Sequence, residues 1–416
     1  MIKRGLLLGC VSLVLASAPR AVAQAGGDLA PACGDPRQVA NAGDAETAEP
    51  VELPIFVENG VVLVDAVVDG AGPLPMMVDT GAVNVVTPEV VADAGIRVEG
   101  GRRHVSGRAG RDTEVPSAQA TELRLAAASL RDQPFLILDL PRFVTDRGNR
   151  PPIAGILGYE FFASFAVRLD YQKRLLTLAS PGALRRAGVG VCVPFSLQDR
   201  KPSVAAKVDG VVGLFALDTG SNAGLTLDRG FVDKNGFDSG HASLRVKSAA
   251  VDGLVDTVVM RLGRFDFADA TIHRPLAHFT VRPGEVPSSA AISGTIGSKI
   301  LRQFVITFDY ARRELWLERS SAFDELTSSG KTGFQAAKID GAGLRVILVI
   351  PASPAALAGL KEGDLITAID DTPAAAIGLA EMAELGRLPD GAVVGLRVLR
   401  DGSVLSLALA LKELLP

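Results

Sequence analysis

Residues 75–86 read Pro75-Met76-Met77-Val78-Asp79-Thr80-Gly81-Ala82-Val83-Asn84-Val85-Val86, an apolar run that breaks into small residues after a carboxylate. An apolar strand that ends in Asp-Thr-Gly places the acid on a tight, buried loop, where backbone N–H groups can hold a carboxylate away from water. A second copy, Asp218-Thr219-Gly220-Ser221, follows the apolar residues 213–217. One copy would be weak evidence, but two copies in the same context predict one site built from both loops.

The two copies belong to a longer internal repeat. The same number of residues separates Asp79 from Gly158 and Asp218 from Gly297, and each glycine ends a short apolar element. A constant offset also pairs the residues that follow: Phe165 with Phe304, Asp170 with Asp309, Tyr171 with Tyr310, Arg174 with Arg313 and Leu178 with Leu317. The repeat predicts two homologous lobes, residues 51–180 and 190–319.

Two acids on equivalent loops would face each other across a pseudo-twofold axis. Like charges a few ångströms apart cannot both ionise cheaply, so Asp79 and Asp218 would share one proton. The ionised carboxylate could then take a proton from water, while the protonated carboxyl donates to a carbonyl oxygen. This chemistry requires neither a metal nor a covalent nucleophile, and we expect no cofactor.

Other function classes have little support in the composition. The formal net charge is −4 and no Lys/Arg block follows the N-terminus, which argues against a nucleic-acid partner. The four histidines form no His-Glu-x-x-His motif, and Cys33 and Cys192 lie far apart in the sequence, so no metal site is predicted. The length, 416 residues, suits two or three domains.

In these motifs both lobes resemble retropepsin-like and pepsin-like aspartic proteases. Ile156-Leu157-Gly158 and Thr295-Ile296-Gly297 stand where that family has its hydrophobic-hydrophobic-Gly element, with Thr295 a mild departure. The resemblance implies a mainly β fold in which two acid-protease lobes form a pseudo-twofold, single-chain enzyme. It implies these roles: catalysis for Asp79 and Asp218; loop support for Thr80, Gly81, Thr219, Gly220 and Ser221; ψ-loop positions for Gly158 and Gly297; and substrate-covering flaps around Gly107, Gly110, Ser248 and Gly253.

One asymmetry between the loops bears on the proton. Ser221 follows the second loop where Ala82 follows the first. If Ser221 donates a hydrogen bond to Asp218, the charged form of Asp218 is favoured, and Asp79 would hold the shared proton more often.

The C-terminal residues 333–412 resemble an α+β PDZ domain of the type attached to exported bacterial proteases, after a linker at residues 320–332. Residues 353–369 match the helix-turn-strand core of that family, and Gly341, Ala342, Gly343 and Leu344 stand at its carboxylate-binding loop. The resemblance implies that a C-terminal or extended peptide pairs with the strand at residues 345–349, which includes Val346. A spacer module without a ligand is the alternative.

The N-terminus predicts export. Lys3 and Arg4 precede an apolar run at residues 6–15 and an Ala-x-Ala site before Gln24, which is typical of a signal peptide at residues 1–23. The product would be periplasmic or secreted, with a flexible leader at residues 24–50 and membrane contact only through the signal segment. A lipoprotein acylated at Cys10 and an uncleaved anchor are alternatives.

Export also affects how the remaining cysteines are interpreted. In an oxidising compartment Cys33 and Cys192 could form a disulfide, or they could remain two unpaired thiols.

Together these features predict an exported aspartic endopeptidase that cleaves extended polypeptides and recognises them through a PDZ domain. The alternative is a non-catalytic peptide-binding scaffold of the same fold. The approach of the Asp79 and Asp218 carboxylates to hydrogen-bonding distance would separate the two. A monomer is expected, with a homodimer of exchanged lobes left open.

Overall fold

The protein is mainly β, as the sequence predicts. The structure, a computed structural model, describes residues 11–12, 33, 49–58, 60–106, 112–141, 145, 147, 150–184, 190–250, 253–281, 292–324, 328–339, 342–377, 382 and 384–416. Among these residues no helix is long and apolar enough to cross a membrane.

The first lobe follows two strands near the N-terminus, β1 (Val11–Ser12) and β2 (Val51–Pro54). Its elements are β3 (Phe56–Glu58), β4 (Val61–Val68), β5 (Ala71–Val78), β6 (Val85–Val86), α1 (Pro88–Ala94), β7 (Arg97–Ser106), β8 (Asp112–Leu125), β9 (Ala128–Ile137), β10 (Gly155–Leu157), α2 (Tyr159–Ser164), β11 (Ala166–Asp170) and β12 (Leu175–Ala179). In the described residues the strands pair in the order β3-β4-β5-β10-β6-β9-β8-β7.

Helix α1 shows how local sequence determines these elements. Pro88 occupies the first turn, where its missing N–H costs nothing, and Gly95 ends the helix in the left-handed conformation with φ +64°. Val90, on the inner face of the helix, is buried in the core of the lobe. The short helix thus packs into the same core as Val78, the residue before Asp79.

The second lobe has a similar order of elements, with four shorter strands where the first lobe has the long strands β8 and β9. It contains β13 (Val191–Pro194), β14 (Ser196–Gln198), β15 (Lys201–Val208), β16 (Val211–Asp218), β17 (Leu225–Leu227), α3 (Arg229–Asn235), β18 (Ser243–Ala250), β19 (Gly253–Arg261), β20 (Arg264–Phe267), β21 (Ala270–His273), β22 (Leu276–Thr280), β23 (Gly294–Gly297), α4 (Ser298–Leu301), β24 (Phe304–Asp309) and β25 (Glu314–Arg319). The described strands pair in the order β1-β18-β19-β22-β17-β23-β16-β15-β20-β21, with β14 on β15. Strand β1 lies in the predicted signal segment, whose other residues are outside the described ones.

A shared sheet joins the lobes, with the order β13-β25-β24-β11-β12-β2. At its centre β11 of the first lobe pairs antiparallel with β24 of the second, so that Val167 faces Phe308. Arg168 crosses between the lobes and donates to Glu318 (Nη2 to Oε2, 3.0 Å). One continuous apolar core runs through both lobes. The lobes are therefore packed as one body.

Cys33 and Cys192 form a disulfide. Cys192 lies in β13, an outer strand of the shared sheet, and pairs there with Trp316. The leader is thereby tied covalently to the junction of the lobes.

The C-terminal domain has its own core and sheet. Its elements are β26 (Phe334–Ile339), β27 (Gly343–Val349), α5 (Pro354–Leu357), β28 (Leu365–Ile369), β29 (Thr372–Pro373), a 3-10 turn (Ala374–Ala376), β30 (Val393–Arg400) and β31 (Ser403–Ala410). The described strands pair in the order β26-β27-β28-β30-β31, with β29 on β28.

This order corrects the predicted peptide-binding groove. Strand β27, which contains residues 345–349 and Val346, pairs with β26 from Gly343 to Val349 on one side and with β28 at Leu344 and Arg345 on the other, so neither of its edges is open along its whole length. Leu344 and Val346 are core residues, and a Cβ on Gly343 would lie 2.3 Å from the carbonyl oxygen of Ile366.

The predicted carboxylate-binding loop stays a prediction. In its described part, Ala342 N–H donates to the carbonyl of Ile339 (3.0 Å). Gly341 lies outside the described residues.

The C-terminal domain contacts the β18–β19 hairpin of the second lobe. The side-chain amide of Gln335 pairs with the backbone of Lys247, accepting from its N–H (2.8 Å) and donating to its carbonyl (2.9 Å). After β31, Leu415 packs against Val259, and its carbonyl accepts from the buried Arg261 (Nη2, 2.6 Å). Both contacts hold the hairpin against the C-terminal domain.

Candidate active site

Each Asp-Thr-Gly loop leaves the end of one strand and is bordered by a second, parallel strand. In the first lobe β10 runs parallel to β5, with Leu157 beside Val78, and antiparallel to β6 on its other side. In the second lobe β23 holds the same place between β16 and β17, with Gly297 beside Asp218. The two loops therefore have the same surroundings, one in each lobe.

The glycines that end β10 and β23 are required by close packing. A Cβ on Gly158 would lie 2.5 Å from the carbonyl oxygen of Ala82, and a Cβ on Gly297 would lie 2.5 Å from that of Ala223. Real Cβ atoms do not approach backbone so closely, so a side chain at either position would push the adjoining loop away.

The threonines tie the loops together across the lobe boundary. Thr80 Oγ1 donates to the Leu217 carbonyl and Thr219 Oγ1 donates to the Val78 carbonyl, each at 2.8 Å. Each hydroxyl also accepts from the backbone N–H of the other threonine at 3.1 Å. Both threonines are fully buried. This reciprocal set fixes the position of one loop relative to the other.

Asp79 and Asp218 meet at the centre of this frame and are 0% and 2% exposed. Each carboxylate lies against the glycine of the opposite loop: a Cβ on Gly81 would lie 2.7 Å from Asp218 Cγ, and one on Gly220 would lie 2.2 Å from Asp79 Oδ2. Gly81 N–H donates to Asp79 Oδ1 (2.7 Å). Only glycines leave room for the two carboxyl groups.

The two acids interact directly. Burial raises the pKa of Asp79 well above its ordinary value, and both the charge of Asp218 and a side-chain hydrogen bond with it raise the pKa further. The Gly81 N–H and the charge of Lys201 act in the opposite direction. A carboxyl group with this balance keeps its proton beside a charged neighbour.

Ser221 is fully buried at the base of the second loop. Its carbonyl accepts from Ser298 N–H (2.7 Å), as that of Ala82 accepts from Tyr159 N–H (2.9 Å) in the first lobe. Its hydroxyl accepts from Ala223 N–H at 3.4 Å. The expected hydrogen bond from Ser221 to Asp218 stays a prediction.

Two of the four flap candidates lie in a described hairpin. Ser248 and Gly253 belong to the arms of the β18–β19 hairpin, where Ser248 pairs with Val255. Gly107 and Gly110 lie between β7 and β8, outside the described residues. A role over the substrate stays a prediction for all four.

Two residues near the first loop were missed by the sequence analysis. Glu160, at the start of α2, accepts from the backbone N–H of Asn84 (Oε2, 2.8 Å) and from Arg200 of the second lobe (Oε1, 3.0 Å). The repeat held a signal for Arg200 alone, because the offset that pairs the turns after β4 and β15 places it opposite Gly60.

Comparison with known proteins agrees with this geometry. Residues 64–161 match the family model of aspartyl proteases, and residues 345–400 match that of PDZ domains. The chain contains an aspartyl protease domain and a PDZ domain. The aspartyl protease match spans the first Asp-Thr-Gly loop and Gly158, and the PDZ match spans β27 to β30.

The curated relatives match this chain over only part of their length. Over 130 residues the chain is 29% identical to the periplasmic serine endoprotease DegP of Salmonella typhimurium and 30% identical to that of Escherichia coli K12. Each match covers 31% of this chain and 26% of the relative, so the chain spans about a quarter of the relatives' length.

Two solved structures are similar to part of this chain. Basic 7S globulin from soybean has a TM-score of 0.38 at 12% identity, covering 65% of this chain and 95% of that one. The aspartic proteinase from Irpex lacteus has a TM-score of 0.42 at 13% identity, covering 67% and 99%.

Proposed function

We propose that this protein is an exported aspartic endopeptidase in which Asp79 and Asp218 form one catalytic dyad. The observation that carries the proposal is that both carboxyl groups are buried where the loops of the lobes meet, each packed against the glycine of the opposite loop. A peptide-binding scaffold has no need of two acids buried against each other, because that contact costs stability.

Burial and the neighbouring charge of Asp218 raise the pKa of Asp79, which fits a pair of carboxyl groups that shares one proton. In the proposed mechanism Asp79 holds that proton and Asp218 is the ionised partner. Asp218 takes a proton from a water molecule, and the oxygen of that water attacks the peptide carbonyl carbon. Asp79 gives its proton to the carbonyl oxygen. The tetrahedral diol then collapses: one of its hydroxyl groups returns a proton to Asp79, the C–N bond breaks, and the leaving amine takes the proton held by Asp218.

The frame around the dyad supports this chemistry by holding both acids still. The Thr80 and Thr219 hydroxyls and the closely packed Gly158 and Gly297 leave the loops little freedom. Groups held in place before reaction lower the barrier because they need not reorganise as charge moves.

The PDZ domain would recognise polypeptide by strand addition at β26, an outer strand of its sheet. Gly333, with φ +79°, precedes β26 directly and forms the kind of turn whose N–H groups can face a terminal carboxylate. We expect an extended or C-terminal peptide as the ligand.

Export is supported by the disulfide and by the N-terminal sequence. A bond between Cys33 and Cys192 persists only in an oxidising compartment, such as the periplasm or the cell exterior. N-terminal sequencing of the mature protein tests this part, and a start near Gln24 is expected.

Two substitutions test the dyad. Asp79→Asn and Asp218→Asn should each lower the turnover of an unfolded protein such as reduced casein by about a thousandfold or more, since both carboxyl groups act in the same step. Asp93→Asn, at an exposed position on α1, is the matched control and should cleave like the wild type. Inhibition by pepstatin would support the assignment.

The outcomes separate the alternatives. Near-normal turnover by either active-site variant would refute the dyad. A wild-type protein that binds casein without cutting it would establish the scaffold instead.

A further inference from the structure

The two lobes reach across to each other through one hairpin turn each. The turn before β4 brings Gly60 (φ +82°) against the second lobe, where a Cβ would lie 3.1 Å from Asn222 Cβ and 3.2 Å from Ser298 Oγ. The equivalent turn before β15 contains Asp199 and Arg200 and reaches the first lobe at Glu160. The two contacts occupy corresponding places in the lobes. Among the described residues, the contact of Arg200 with Glu160 joins charged side chains, whereas Gly60 lies against uncharged ones.

The turn at Asp199 and Arg200 is conformationally unfavourable. Both residues have positive φ, +49° and +67°, in the left-handed region that glycine adopts readily and arginine does not. Two-residue hairpin turns of this kind prefer glycine at the second position, which is what Gly60 supplies in the first lobe. Strain of this sort persists where surrounding contacts hold it in place.

The contacts of Arg200 lead directly to the Asp79 loop. Its guanidinium donates to Glu160 Oε1 (3.0 Å) and lies over the Tyr159 ring, 5.4 Å from the centroid. The other oxygen of Glu160 accepts from Asn84 N–H (2.8 Å), and Asn84 Oδ1 accepts from Gly158 N–H (2.8 Å). This chain of bonds connects the second lobe to both segments that border Asp79.

The charge balance around Glu160 fits this arrangement. Burial raises the pKa of Glu160, while the Asn84 N–H and the Arg200 charge act to lower it. Its side chain is 18% exposed against 49% for Arg200, so the arginine is the solvent-facing half of the pair. The carboxylate can remain charged there because both of its oxygens accept hydrogen bonds.

We propose that Arg200 and Glu160 form a cross-lobe latch that positions the Asp79 loop for reaction, an inference that rests on the proposed function. Arg200 is a positioning residue that acts through Glu160 and Asn84. Its replacement should leave the fold intact and loosen the geometry of the dyad.

Arg200→Gly tests the latch, because it removes the guanidinium and relieves the unfavourable φ together. The expected result is a kcat about tenfold lower with KM changed less than about twofold, and an unfolding midpoint equal to or above that of the wild type. Arg200→Lys should recover part of kcat, because an ammonium can still reach Glu160. Adding Glu160→Gln to Arg200→Gly should lower kcat little further.

Arg174→Gly is the matched control. Arg174 has φ +53° in the turn between β11 and β12 and is exposed, so the substitution relieves similar strain without touching Glu160. It should leave kcat unchanged.

The failures can be told apart. A wild type without turnover would refute the proposed function. An active wild type with an unchanged kcat in Arg200→Gly, or a kcat lost only in proportion to folded protein, would refute the latch alone.

Discussion

At the scale of single residues, burial of Asp79 beside Asp218 costs the fold stability. Burial and the charge of Asp218 both favour the protonated form of Asp79. Above about pH 4 the folded protein therefore keeps a proton that the unfolded chain has lost. Sites that need such a contact are held together by the rest of the fold. Here the opposing force comes from the threonine hydrogen bonds and the packed glycines.

A first prediction follows from this proton. An unfolded aspartate titrates at about pH 4, whereas Asp79 keeps its proton to higher pH, so stability falls as the pH rises through that window. Asp79→Asn, which cannot ionise, should resist urea better than the wild type at about pH 7 and lose that advantage at about pH 3. Urea unfolding at both pH values checks it, and an equal difference at both would contradict it.

A second prediction concerns Thr219. Thr219→Val leaves the buried Val78 carbonyl and Thr80 N–H without their partner, which should lower the free energy of unfolding by about 1–3 kcal/mol. Thr219→Ser keeps the hydroxyl and should lose less than half as much. Chemical denaturation of both variants measures the two losses in the free energy of unfolding. Equal losses would mean that packing of the threonine methyl group dominates.

At the scale of elements, the short tail after β31 bonds to the second lobe. The buried Arg261 donates to the carbonyls of Leu415 (3.0 and 2.6 Å) and Arg274 (2.9 Å), and it lies 3.4 Å from Glu413. Burial lowers the pKa of Arg261, and the charge of Glu413 raises it. The tail thus provides acceptors that a buried guanidinium needs.

A third prediction tests this dependence. Deleting residues 413–416 should lower the free energy of unfolding by about 3 kcal/mol, because the buried charge loses most of its acceptors. Replacing Arg261 by Met in the truncated chain should recover part of that loss. Denaturation of both forms measures the loss and the recovery. A deletion without effect would show that water replaces the tail as the acceptor for Arg261.

A fourth prediction concerns the Gln335 clasp. Gln335→Ala removes both hydrogen bonds to the Lys247 backbone, so amide hydrogen exchange in β18 and β19 should become faster. The control Thr367→Ala changes a side chain that bonds only within the PDZ domain, to the Arg397 carbonyl (3.2 Å). Unchanged exchange in the Gln335 variant would mean that the tail alone holds the hairpin.

Some of these elements could be predicted from the sequence, and others could not. Short motifs at a constant offset were enough to predict the two Asp-Thr-Gly loops and the packed glycines, since each residue type is required by its local backbone. The PDZ strand was misassigned because alternating apolar residues mark a strand without showing which strand is outermost. The Arg200 and Glu160 pair was missed because its partners lie in different lobes, and no local pattern records such a contact.

At the scale of the whole molecule, both loops of the site come from one chain through the shared sheet. Pairing of Val167 with Phe308 and the Arg168–Glu318 ion pair join the lobes within the same polypeptide. We therefore expect a monomer, and light scattering after gel filtration should report the mass of one chain. A mass of two chains would support exchanged lobes.

The disulfide has one further consequence, which concerns maturation. Cys33 precedes the first lobe, while Cys192 sits in the sheet that joins the lobes. A processing cut between Cys33 and Val51 would leave the severed prosegment attached through sulfur. Such a product would run as one band without reductant and would release a small fragment when reductant is added, so a reducing gel alone would misrepresent the processed protein.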